Sequence, residues 1–290
     1  MRTADIFKEK TVFSLEIFPP KPSADESVIY DTLDHLTDIR PDFISVTYGA
    51  GGGKNGSKTI SIASDIISKY GTTGVAHLPC IDLTKEQARE ILDSMEQHGI
   101  ENVLALRGDL PEGREHHGDF RHADELVTFI RENYDFNILG ACYPEVHPES
   151  PNAVADILHL KHKVECGVDH LITQLFLDNR HFYEFRDRTR LARIDVPIEA
   201  GIMPVTNKKQ IERMVKLCGV ELPSKFRHIL DRYENDPVAL RDAGIAYAVD
   251  QITDLTAEGA DGIHLYTMND PYVAHRIYEA VQSLLCSVCR

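Results

Sequence analysis

The 290-residue chain has no apolar run near the about 18 residues that a membrane-spanning helix needs. It also lacks an excess of positive charge: 31 Lys and Arg face 46 Asp and Glu, for a net charge of -15. That balance opposes any general affinity for nucleic acid or an acidic membrane, so an anionic ligand needs a local cluster of cations or backbone amides. Cysteine is sparse. Of six, only Cys286 and Cys289 form a C-x-x-C, and half a zinc site without a second pair is not a metal motif. The 14 histidines show no H-E-x-x-H or comparable spacing, so no metal centre is expected. The residues from Met1 to Asp5 lead into charge rather than a signal-peptide core, which predicts a cytoplasmic protein. No linker, repeat or low-complexity stretch divides the chain, which predicts one domain over 1–290.

What is present is a regular alternation. Apolar, β-branched runs at Val12–Phe18, Phe43–Tyr48, Gly74–Cys80, Asn102–Leu106, Asn137–Tyr143, His170–Leu177, Pro197–Val205 and Gly262–Thr267 read as strands. Amphipathic stretches lie between them, among them Thr59–Tyr70, Val154–Cys166 and Lys208–Leu217. Eight strand–helix units predict an α/β fold with a parallel sheet closed into a TIM (β/α)8 barrel. The stretch 207–236 is longer than a plain unit needs and reads as an insertion over the barrel mouth. Active sites of such barrels lie at the C-terminal strand ends, and here those ends carry polar or ionisable groups in every unit.

Glu16 stands out. It interrupts the apolar run Val12–Phe18, and Pro19-Pro20 force the chain out of the sheet just after it. A lone carboxyl there is costly unless paired or protonated, and one that keeps its proton can act as an acid near neutral pH. Pairing with a neighbouring Arg or Lys is the plainer alternative. Gly51, Gly53 and Gly56 spell G-x-G-x-x-G after a strand. A Rossmann reading is opposed by the eight-unit count and by the late position of Asp82, and a Walker A loop fails because Ser57 separates Gly56 from Lys58. The glycines therefore read as a flexible loop, either approaching a ligand or simply exposed. Leu106-Arg107-Gly108-Asp109 offers a bidentate cation and a heterocycle acceptor, or else an Arg–Asp pair closing a loop. Asp156, His159, His162 and Lys163 share a helix face that can meet a diphosphate or merely solvent.

Taken together, Phe13-Ser14-Leu15-Glu16-Ile17-Phe18-Pro19-Pro20-Lys21, Ser45-Val46-Thr47-Tyr48-Gly49-Ala50, His77-Leu78-Pro79-Cys80, Ala105-Leu106-Arg107-Gly108-Asp109, Tyr143-Pro144-Glu145-Val146-His147-Pro148 and Ile172-Thr173-Gln174-Leu175-Phe176 resemble methylenetetrahydrofolate reductase of the short bacterial type, in order along almost the whole chain. The resemblance implies reduction of 5,10-methylenetetrahydrofolate to 5-methyltetrahydrofolate by NADH or NADPH through bound FAD, in a homo-oligomer. It places the general acid on Glu16, which protonates the folate and opens its five-membered ring to a hydride-accepting iminium. Asp109 is implied beside flavin and pterin. FAD contacts are implied at Thr47, Tyr48, Ala50, His77, Arg107, Gly108, His122, Ala123, Tyr143, His147, Asp156, His159, His162 and Lys163. Gln174, Gln210 and Tyr266 are implied on the substrate side. Met214 and Asp270 depart from the family pattern, which has a stacking Phe and an Arg there. A flavin barrel acting on another amine such as proline, and a non-catalytic barrel that binds a partner, are the competing readings.

Overall fold

A computed structural model describes residues 1–20, 25, 27–48, 53–109 and 117–287. Eight parallel strands close into a barrel: β1 (Val12–Ile17), β2 (Phe43–Val46), β3 (Thr73–Pro79), β4 (Asn102–Leu106), β5 (Asn137–Cys142), β6 (His170–Thr173), β7 (Ile198–Ile202) and β8 (Gly262–Tyr266), with β8 pairing back onto β1. The helices are α1 (Thr3–Ile6), α2 (Ser27–Leu36), α3 (Gly53–Ser68), α4 (Lys85–Gln97), α5 (Ala123–Asn133), α6 (Ala153–Glu165), α7 (Asn179–Ala192), α8 (Lys208–Cys218), α9 (Ser224–Tyr233), α10 (Pro237–Ala257) and α11 (Pro271–Ser287). The predicted TIM barrel is the observed fold. No described helix is long and apolar enough to cross a membrane.

Side chains alternate across each strand, so one strand serves two cores. On β1, Phe13, Leu15 and Ile17 join the cluster between barrel and helices. Val12 faces inward and meets Phe43, Val75, Leu104, Leu139 and Ile172, and Ile6 and Phe7 join this inner cluster from the N-terminal segment. Ser14 and Glu16 continue the inward face of β1 toward the C-terminal end.

Two strands are shorter than their apolar runs. The predicted strands His170–Leu177 and Pro197–Val205 stop at Thr173 and Ile202. Leu175, Leu177, Met203 and Val205 leave the sheet and pack with Ile211, Phe226, Leu230 and Leu240 in a separate core among α8, α9 and α10. Apolarity persisted because burial persisted, not because the sheet did. The helix expected from Thr59 begins at Gly53, so Gly53 and Gly56 are helical and do not belong to a loop. A Cβ on Gly56 would stand 2.8 Å from Cζ of Tyr48, so the glycine admits the Tyr48 ring against the helix.

Candidate active site

A cavity of about 710 Å³ opens at the C-terminal end of the barrel, a size suited to a cofactor or drug-sized ligand. Its lining includes Glu16, Thr47, His77, Arg107, Gly108, Asp109, His122, Ala123, Tyr143, His147, Asp156, His159, His162, Lys163, Gln174 and Tyr266. Of the other residues singled out from sequence, Ala50 lies outside the described residues. Tyr48 packs on the barrel beside Gly56 and is not among the cavity-lining residues. Gln210 is exposed on the first turn of α8, where its N–H donates to Asn207 Oδ1, and it does not line the cavity either.

Glu16 sits at the inner end of the cavity and is 8 % exposed. No Arg or Lys pairs with it among the described residues; its Oε2 is instead 3.5 Å from His77 Nε2 and 3.5 Å from His264 Nε2. Burial pushes His77 down to about 4, so that ring is neutral at pH 7. The exit of β1 is anchored on the β8 side: Phe18 N–H donates to Asn269 Oδ1 at 2.9 Å and Asn269 Nδ2 donates to Phe18 O at 2.9 Å. Thr267 Oγ1 donates to the Glu16 carbonyl at 2.6 Å. These bonds hold the strand end where the two prolines turn it away.

Tyr266 is the next inward residue of β8 after His264 and pairs in register with Glu16. Its hydroxyl donates to Thr173 O at 2.7 Å, and burial drives its pKa well upward. Gly201 makes room for the ring: a Cβ there would stand 2.8 Å from the tyrosine oxygen. At the end of β4, Gly108 has φ +87° and lets the chain swing Arg107 and Asp109 to the rim. Arg107 pairs with Glu149, with Nη2–Oε1 at 2.8 Å; the Arg–Asp pair allowed by sequence is not formed. Glu149 is 63 % exposed, so this pair is worth no more than about 1 kcal/mol and is easily exchanged for a ligand.

The α6 face forms the other end of the cavity. Asn152 caps the helix by accepting from the N–H groups of Val154 and Ala155, which aims Asp156, His159, Leu160 and Lys163 at the cavity. Lys163 Nζ donates to Ala141 O, and burial lowers its pKa. His162 lies at the edge with a side chain 64 % exposed, 3.4 Å from Asp124. Burial next to Arg107 pulls His147 down as well.

Folding also places further groups. Met203 and Met214 line the cavity from the β7 exit and α8. Asp270 accepts from Val273 N–H at 3.1 Å and so caps α11, with Pro271 in the first helical position. Glu145, His181 and Glu221, from three separate segments, bring ligand atoms within 4.8 Å of one another, where sequence spacing offered no metal set.

A closed parallel barrel with ionisable groups converging in a cavity at its C-terminal rim defines an enzyme of the (β/α)8 class. The family model described as "Methylenetetrahydrofolate reductase" matches residues 2–282, and the chain belongs to that family of oxidoreductases. It is 39% identical over 264 residues to 5,10-methylenetetrahydrofolate reductase of Pectobacterium carotovorum subsp. carotovorum, covering 91% of this chain and 88% of the relative. It is 34% identical over 275 residues to "Methylenetetrahydrofolate reductase (NADH) 1" of Arabidopsis thaliana, covering 90% of this chain and 46% of that longer protein. A solved structure described as an uncharacterized protein from Clostridium thermocellum that binds two copies of 5-methyl-5,6,7,8-tetrahydrofolic acid superposes with TM-score 0.64 over 98% of both chains; at 13% identity it shows the shared fold alone.

Proposed function

We propose that the chain reduces 5,10-methylenetetrahydrofolate to 5-methyltetrahydrofolate, with FAD as redox cofactor and NADH or NADPH as donor. The observation that carries this reading is Glu16: a carboxyl without a cationic Lys or Arg partner among the described residues, in a cavity also lined by Asp156, His159, His162 and Lys163 of α6. The residues present fit FAD. His77 Nε2 is buried without a hydrogen-bond partner among the described residues, Asp109 offers an acceptor, and Lys163 offers a half-buried cation in the same lining as Arg107, His159 and His162. When bound, FAD supplies a two-electron carrier between nicotinamide and folate.

The chain's own part is binding and proton handling. Glu16 gives a proton to the folate nitrogen whose bond to the one-carbon unit breaks, and Asp109 and Gln174 hold the pterin. Leu106, Leu175, Met203 and Met214 give this end of the cavity apolar walls. Lys163, with Arg107 released from Glu149, balances the diphosphate charge. We further read 207–236 as an addition over the barrel mouth and the functional unit as an oligomer.

Anaerobic titration of the purified holoprotein tests the reading. NADH or NADPH should bleach a flavin spectrum, and 5,10-methylenetetrahydrofolate should restore it; a colourless protein, or one reoxidised by an amine such as proline and not by the folate, would reject it. Lys163→Met should weaken FAD binding by roughly 10- to 100-fold, the loss of about 1.5–3 kcal/mol for a hydrogen bond to a charged group. Fluorescence titration of cofactor-stripped protein with FAD measures that directly.

A further inference from the structure

Beneath Glu16 the barrel interior is polar where a hydrophobic filling is the rule. Ser14, His170, Glu199 and His264 are each fully buried. Ser14 Oγ is 2.7 Å from Glu199 Oε1 and 2.6 Å from His264 Nδ1, and His264 Nε2, buried without a hydrogen-bond partner among the described residues, lies 3.5 Å from Glu16 Oε2. On the far side, His170 Nε2 is 3.6 Å from Glu199 Oε2. Space is reserved for the second acid: a Cβ on Gly262, its register partner on β8, would stand 2.8 Å from Glu199 Cγ. Glu199 has no Lys or Arg partner among the described residues.

We propose that Glu199 is a positioning and proton-storing residue of this site: it holds a second proton and passes it to Glu16 through Ser14 and His264. The proposal rests on the reading of Glu16 as the general acid. A serine hydroxyl carries one hydrogen, so the chain has two polarities. If Glu199 is ionised, Ser14 donates to it, His264 Nδ1–H donates to Ser14, and the bare Nε2 accepts from a protonated Glu16. If Glu199 is protonated, it donates to Ser14, Ser14 donates to Nδ1, and Nε2–H points at an ionised Glu16. Before turnover both carboxyls are protonated, with Glu199 donating to Ser14 and Ser14 to Nδ1; when Glu16 gives its proton to substrate the second state is left, and it can revert to the first. The Glu199 O–H, Ser14 O–H and His264 Nε2–H bonds break, and new bonds to hydrogen form at Ser14 Oγ, His264 Nδ1 and Glu16 Oε2. One proton moves and no electrons do, and a proton from bulk water resets the chain after product leaves.

The surroundings suit a stored proton. Burial raises Glu199 to about 7, while His264 and Ser14 pull it down and Asp42 and Asp261 push it up. Burial lowers His170 to about 3 and His77 to about 4, so neither ring competes for the proton at neutral pH. His77, His264 and Tyr266 face Glu16, and Ser14, His170 and His264 face Glu199.

Two measurements on Ser14→Ala, Glu199→Gln and Glu16→Gln test this. In rapid-mixing experiments on the holoenzyme, Ser14→Ala and Glu199→Gln should move the pH midpoint of flavin reoxidation by folate by about one unit, a tenfold change in proton affinity, and leave flavin reduction by NADH unchanged. Denaturation against pH supplies a readout independent of turnover. Folded Glu199 binds a proton between 4.5 and about 7 where the unfolded chain does not, so the group's contribution to stability falls as pH rises through that window. Glu199→Gln should therefore gain on wild type with rising pH, and in a Glu16→Gln background that window should shift by about one unit, as coupled titration requires. Unchanged reoxidation profiles in the variants, or an identical window with and without Glu16, would overturn the proposal. Should Ser14→Ala fail to fold, the isosteric Glu199→Gln decides alone. Folate turnover surviving in Glu16→Gln would instead defeat the general-acid reading, while the denaturation experiment still reports whether the two carboxyls are coupled.

Discussion

Glu16→Gln is expected to lower the rate of folate reduction by about 10²- to 10⁴-fold, the range general acid catalysis supplies. NADH-dependent flavin reduction should persist in the same variant. The substitution keeps shape and removes only the transferable proton. His77 cannot take over as the acid, because burial holds it neutral down to about 4. His264 reaches Glu16 Oε2 with only one nitrogen, at 3.5 Å, and its other ring nitrogen is engaged by Ser14. Rapid-mixing measurement of the two half-reactions separates the outcomes: equal loss in both would mean that Glu16 shapes the cavity rather than delivers a proton.

Gly244→Ala is expected to destabilise the protein by about 2 kcal/mol, against the direction that helix propensity predicts. Within a helix, Ala is favoured over Gly by about 1 kcal/mol. Gly244, however, lies in α10 directly against the main chain of Val205, and a Cβ there would overlap the Val205 carbonyl oxygen. Backbone cannot swing aside as a side chain does, so α10 or the β7 exit must move, and overpacking of this kind costs about 1–3 kcal/mol or more. Val205 packs with Met203 in the same core, and Met203 lines the cavity, so the strain should also reach the site. Urea denaturation measures the first effect; a variant as stable as the parent would mean that the contact relaxes freely.

The barrel was legible because its signal is local and repeated. Each strand needs two apolar faces and each helix one, and eight such units admit few closures. The errors fall where burial and sheet part company. Leu175, Leu177, Met203 and Val205 are as apolar as strand residues, yet they fill a core under α8, α9 and α10. Gly53 and Gly56 look like loop residues, but both are helical, and position 56 is a glycine because the Tyr48 ring fills the space a Cβ would take.

From the order of residues alone come the closed barrel, the enzyme family and the isolated acid before Pro19-Pro20, since composition, periodicity and short motifs act over a few neighbours. The tertiary structure alone decided what surrounds that acid. Ser14 and Glu199 are 185 positions apart and Ser14 and His264 250, yet hydrogen bonds join them. Only closure of β8 onto β1 brings their inward faces together, and only a water-poor interior makes a proton's position among them consequential.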